Sequence, residues 1–70
     1  MARLRLVFID GTAWEFEGTN EWVRETLDTL EKHKGEHGWL HFTRPDDMGV
    51  PADFRVGYNS VAETYSTLDE

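Results

Sequence analysis

Cysteine is absent from this chain of 70 residues, so no disulfide framework and no cysteine-based zinc site supports the fold. Stability therefore rests on apolar contacts. Basic charge is scarce as well. Lys and Arg number 7 against 14 Asp and Glu, a net charge of −7. Wrapping DNA or RNA requires clustered cations to neutralise phosphate, so direct nucleic-acid binding is not expected. Long hydrophobic runs are also missing. The longest, Leu6 to Ile9, falls far short of the ~20 residues that span a bilayer. The start, Met1-Ala2-Arg3-Leu4-Arg5, carries charge without the apolar stretch of a secretory signal. These features together point to a cytoplasmic protein with no membrane contact. There is no N-x-[ST] acceptor, no repeat, no low-complexity tract and no linker.

What is present is enough to fold. The chain is 39% apolar and 13% aromatic, with three tryptophans, which is not the composition of a disordered polymer. The length allows one small domain, residues 1–70, with a core that is marginal without help.

Residues Arg3 to Gly18 read as a β-hairpin. Leu4, Leu6 and Phe8 alternate with Arg3, Arg5 and Val7, and beyond the Asp10-Gly11 turn Trp14 and Phe16 alternate with Ala13, Glu15 and Glu17. A loop of Asp10-Gly11 alone would pair Leu6 with Glu15 and mix apolar with charged positions. A loop of Asp10-Gly11-Thr12 pairs Phe8 with Trp14, Leu6 with Phe16 and Arg5 with Glu17, and this register is the expectation. Its weak point is Gly11 in mid-loop, because the left-handed glycine of such loops usually comes last.

Asn20 to Lys34 reads as a helix. Asn20 or Thr19 caps it, Glu21 and Glu25 sit near the positive end of the dipole, and Lys32 and Lys34 near the negative end. Val23, Leu27 and Leu30 form a buried stripe, and Glu21, Glu25 and Asp28 form a wet one. Gly35 is the stop, with Gly38 behind it. Trp39 to Thr43 is a third strand, Arg44 to Pro51 a loop, and Phe54 to Val56 a fourth strand. Gly57-Tyr58-Asn59-Ser60 is a turn, Val61 to Ser66 a short fifth strand, and Thr67 to Glu70 are expected to fray. The class is α+β, ordered ββαββ or ββαβββ, with a mostly antiparallel sheet and one helix on one face.

One helix covers one face of such a sheet. Leu4, Leu6, Phe8, Trp14, Phe16, Leu40, Phe42, Phe54 and Val56 are assigned to the covered face, against Val23, Leu27 and Leu30. The far face then carries Val7, Ile9, Ala13, Trp39 and His41 among charged neighbours, and an apolar patch on a small domain marks a contact site. Two arrangements remain open. The C-terminal strand or the 44–51 loop folds over the patch and closes a barrel, or the patch meets a second copy or another protein.

Catalytic chemistry finds little support. His33-Lys34-Gly35-Glu36-His37 has the H-x-x-E-H spacing of inverted zinc peptidases, and His41 continues the four-residue recurrence. Gly35 and Gly38 interrupt the continuous helix that this ligation needs, so no metal site is assigned. Asp46, Asp47 and Asp53 provide too few oxygens for a calcium or magnesium loop. Ser60 and Ser66 have no nucleophile elbow, and the glycines are scattered singly rather than gathered in a phosphate loop. Glu15 and Glu17 read as partners of Arg3 and Arg5. No catalytic residue and no cofactor is assigned.

The expectation is a small non-enzymatic accessory protein of the kind carried by phages and mobile elements. It would bind a protein partner and self-associate as a homodimer through Val7, Ile9, Ala13, Trp39 and His41. The alternative is an acidic nucleic-acid mimic whose Glu21, Glu25 and Asp28 stand in for phosphates facing a basic groove on a host protein. Lys32 on the same helix face and Arg24 beside it dilute that field.

Overall fold

The computed structural model describes residues 1–69. Six elements follow in the order β1 (Ala2–Phe8), β2 (Ala13–Gly18), α1 (Asn20–Lys32), β3 (Trp39–Pro45), β4 (Pro51–Gly57) and β5 (Val61–Thr67). This is an α+β domain of the ββαβββ form, with every strand pair antiparallel. The strands divide between two sheets rather than forming one. One sheet has three strands in the order β2-β1-β5, and the other contains β3 and β4.

The hairpin takes a register shifted by two residues from the expected one. Leu6 faces Trp14, Leu4 faces Phe16 and Arg3 faces Glu17. The turn decides this. Gly11 adopts φ +88° as the last residue of an Ile9-Asp10-Gly11 loop, which is where a hairpin of this class needs its left-handed residue. Phe8 N–H donates to Thr12 O and Gly11 N–H donates to Phe8 O. The Asp10 carboxylate accepts from both the amide and the hydroxyl of Thr12, at 2.9 and 2.6 Å. A shift of two preserves the faces, so the apolar side remains intact. The cross-strand ion pair becomes Arg3–Glu17, 3.5 Å apart.

Thr19 is the helix cap, its hydroxyl accepting from Trp22 N–H at 3.0 Å. Asn20 does something else. Its amide donates to Asp69 O at 2.7 Å, and its carbonyl oxygen accepts from Asp69 N–H at 2.9 Å. The Asp69 carboxylate also meets the Met1 ammonium at 2.6 Å. Thr67 is paired and Asp69 is tied down, so the expected fraying does not apply to them. Glu70 lies outside the described residues. The helix ends at Lys32, two residues before the expected Lys34, and His33 forms its C-cap.

The expected loop of 44–51 contracts to Asp46–Val50. Asp46 Oδ1 accepts from Met48 N–H and Val50 N–H, Gly49 takes φ +79°, and the chain returns directly into β4. Both flanking strands are correspondingly longer than the apolar alternation alone suggests.

The core consists of Ala2, Leu4, Leu6, Phe16, Val23, Leu30 and Val56. Phe8, Trp22, Leu27, Leu40, Phe42, Phe54, Tyr58 and Val61 pack around it. The helix covers part of the inner face of the three-stranded sheet, and β3–β4 folds over the rest. The apolar surplus is thus met by sheet-on-sheet packing. Phe42 and Phe54 lie opposite each other in register and stack at 5.8 Å, and both present edges to Phe16 at 5.0 Å.

This division corrects the expected far face. Val7 and Ala13 face each other on β1–β2, whereas Trp39 and His41 lie on the separate β3–β4 sheet. Those pairs of strands never join a common ladder, so the five residues do not share one sheet face. Nor does β5 fold over them. It pairs beside β1 and extends the sheet sideways, leaving Ile9 73% and Trp39 59% exposed.

Candidate functional site

The most developed surface feature lies along the seam where β2 meets β4. Trp14 stands on the inner face of β2 at the rim of the aromatic cluster. It makes edge contacts with Phe8 at 5.1 Å, Phe54 at 5.5 Å and Phe16 at 6.2 Å. Core packing fixes the ring from one side, yet it remains 39% exposed. An anchored aromatic with a free face is the kind of group that dominates protein contacts.

Two open grooves flank the ring. The first, about 300 Å³, is lined by Phe8, Ile9, Asp10, Thr12, Trp14, Arg55 and Ser60. Ile9 is held there by the hairpin turn, its amide donating to Ser60 O at 2.9 Å. The second groove, about 470 Å³, runs between Ala13–Phe16 and Pro45–Met48, with Phe54 at its floor. Met48, at the tip of the β3–β4 turn, is 85% exposed. Ile9 and Met48 thus border the two grooves that share the Trp14 ring.

The two grooves differ in charge, the second being acidic and the first carrying both Asp10 and Arg55. Glu15, Asp46 and Asp47 line the second groove. Asp46 is occupied by its turn amides, and Glu15, in register with Arg5, points to the other face of β2 from Trp14, which leaves Asp47 at the groove. Arg55 lines the first groove and extends toward the ring of Trp39, its guanidinium 6.0 Å from the centroid. That distance is at the outer limit of a cation–π contact.

The structure thus sorts the five residues named from the sequence. Ile9 and Ala13 line the grooves beside Trp14. Trp39 lies near Arg55, which lines the first groove. Val7 is half-buried on the other face of β1, between Ala13 and Glu63. His41 turns toward Asp53, with Nε2 3.7 Å from a carboxylate oxygen that also accepts from Thr43 Oγ1 at 2.7 Å. Sequence reasoning missed Trp14, Met48, Phe54 and Arg55 as members of the site. Trp14 and Phe54 carry the pattern of buried positions. Met48 sits in a turn, where the only available signal is a large apolar residue in a polar loop.

Glu21, Glu25 and Asp28 are all exposed on α1. Arg24 and Lys32 are exposed too, and Lys32 falls within the same stripe, so this is a mixed, solvated helix face. The histidines do not converge either. His33 stacks on Tyr58 at 4.9 Å and bonds Glu36 through Nδ1 at 2.9 Å, while His41 lies within β3 beside Asp53. No group of three or more metal-ligating side chains is found among the described residues. No helix among them is long and apolar enough to cross a membrane. Comparison with protein families, with curated proteins and with solved structures finds no match in any of the three.

Proposed function

We propose that this protein is a non-enzymatic interaction protein that engages a protein partner through the seam around Trp14. The observation carrying this reading is that Ile9, Trp14 and Met48, beside two grooves that share the Trp14 ring, are left in water by a core that shelters the rest of the apolar surplus. Apolar side chains of the partner fill the grooves on either side of the ring. A basic side chain of the partner meets Asp47 at the rim of the second groove. The net charge of −7 favours a partner with a positive surface and speeds its approach.

Affinity capture in the native cell, repeated with Ile9→Glu and Trp14→Ala, tests the reading. Ile9 is largely exposed, so its replacement leaves the core intact, which the circular dichroism spectrum verifies. A stoichiometric protein held by the wild type and lost by both variants is the expected result. Titration of that purified protein should then show Trp14→Ala costing about 2 kcal/mol or more of binding free energy. A partner that binds both variants as well as it binds the wild type would overturn the assignment of this surface.

A further inference from the structure

Among the described residues β5 has a neighbour on one edge only, because in the order β2-β1-β5 its other side carries no strand. Natural edge strands are usually guarded by lysine, proline or inward-pointing charge. β2 carries Glu15 and Glu17, β3 ends in Arg44-Pro45, and β4 contains Pro51, Asp53 and Arg55. β5 reads Val61-Ala62-Glu63-Thr64-Tyr65-Ser66-Thr67, with no proline, no lysine and a single charge. Its composition is that of a strand interior, rich in β-branched and aromatic residues. The one irregularity in its pairing with β1 lies at the Val61 end.

We infer that this edge pairs antiparallel with β5 of a second copy of the chain, about a two-fold axis at Thr64. The strand's own sequence selects the register. Side chains alternate between faces, so the axis must pass through a residue position. At Glu63 it would set two carboxylates directly opposite, which is unfavourable. At Tyr65 it would leave Val61 and Ala62 without partners. At Thr64 all of Val61–Thr67 is paired, the two Thr64 hydroxyls face each other, and Glu63 lies opposite the partner's Tyr65. Arg5 is the β1 neighbour of Tyr65. Each outer row then runs from Arg5 through Tyr65, whose hydroxyl donates to Glu63 of its own chain, to the partner's Glu63.

Every residue of β5 from Ala62 to Thr67 is exposed, so the strand's free edge is open to a neighbour. The pairing is independent of the Trp14 seam, since β2 forms the opposite edge of the three-stranded sheet.

Sedimentation equilibrium of the full chain tests the inference. The wild type should run at twice 8.1 kDa. Thr64→Lys places two ammonium groups face to face at the axis, while Thr64 is exposed in the single chain. That variant should therefore run as a monomer with an unchanged circular dichroism spectrum. Because the chain has no cysteine, Thr64→Cys reports the axis directly. Its thiols would stand on Cα atoms about 4.5–5.5 Å apart, within disulfide reach. Oxidation to a covalent dimer should be roughly tenfold or more faster than for Asp47→Cys, because pairing raises the local thiol concentration. A wild type that remains monomeric at about 1 mM overturns the proposal. So does a folded Thr64→Lys that still dimerises, or equal oxidation rates for the two cysteine variants. If Thr64→Lys fails to fold, the oxidation rates decide. A monomeric wild type would not affect the capture experiment on Ile9 and Trp14, so the two readings fail separately.

Discussion

At Gly18 the main chain passes beneath the indole of Trp22, so close that a methyl group there would lie 2.6 Å from Trp22 Cε3 and 3.2 Å from Arg44 Nη2. Neither neighbour can give way easily. Arg44 lays its guanidinium 3.9 Å from the centroid of Trp22, and the edges of Phe16 and Phe42 meet the same ring at 6.3 and 5.5 Å. This glycine is required by packing, not by backbone conformation. Gly18→Ala is expected to lower stability by about 1–3 kcal/mol through forced displacement of the ring. Urea unfolding followed by tryptophan fluorescence measures that loss. A midpoint equal to the wild type would mean that the indole relocates without cost.

Within the first hairpin, the turn and the strands impose separate constraints. The alternation of Leu4, Leu6, Trp14 and Phe16 defines which side chains share a face, but every shift of two residues satisfies it equally well. Choosing among those shifts falls to the turn, where a left-handed Gly11 and the Asp10–Thr12 hydrogen bonds select one. Those bonds, the side-chain one foremost, hold the Asp10 carboxyl below its ordinary value of 3.8. A depressed folded value stabilises the fold above the unfolded value, and the benefit is lost as pH falls through the folded one. Wild type and Asp10→Asn should accordingly differ most in melting temperature near neutral pH and converge at about pH 2. A gap that does not change with acidification would mean that the turn does not depend on the charge.

This hairpin also shows how much was legible in advance. The element order, the α+β class, the Thr19 cap region and the list of inward positions all follow from periodicity and capping, which are local properties. The last-position preference of a left-handed glycine is legible too, and it outweighs an Arg5–Glu17 pairing that the structure does not make. An exposed ion pair contributes little, whereas a positive φ imposed on a residue other than glycine costs about 1–2 kcal/mol, so the glycine was the stronger signal. Of the site, Ile9 and Ala13 were legible as apolar residues in need of cover. Trp14 was not, because its pattern assigns it to the interior and only its place at the end of β2 leaves one face in water.

Across the whole molecule, the two ends of the chain are fastened together at the start of the helix. Asn20 exchanges two hydrogen bonds with the backbone of Asp69, and the Asp69 carboxylate receives the Met1 ammonium. The clamp holds the C-terminal end of β5 in line beside β1, the arrangement that leaves the far edge of β5 open. Asn20→Ala removes both backbone contacts and should cost about 1 kcal/mol in global stability. Its clearer effect is local. Amide exchange at Leu68 and Asp69 should quicken while protection in β1 and β2 persists, and unchanged exchange at those two amides would show that the clamp contributes nothing.

Periodicity, turn chemistry and capping act over a few neighbouring residues, so composition and order along the chain suffice to specify the six elements, their inward faces and the surplus of apolar groups over helix surface. How that surplus is sheltered depends on contacts between residues far apart in the chain. Folding β3–β4 across Phe16 buries Phe42 and Phe54 between two sheets, whereas one wide sheet would leave a whole face uncovered by the single helix. That choice separates Val7 from Trp39, brings Ile9, Trp14 and Met48 together around the seam, and sets β5 at an edge. No local rule ranks these outcomes, because each element is equally regular in either arrangement and only the burial of aromatic area between elements distinguishes them.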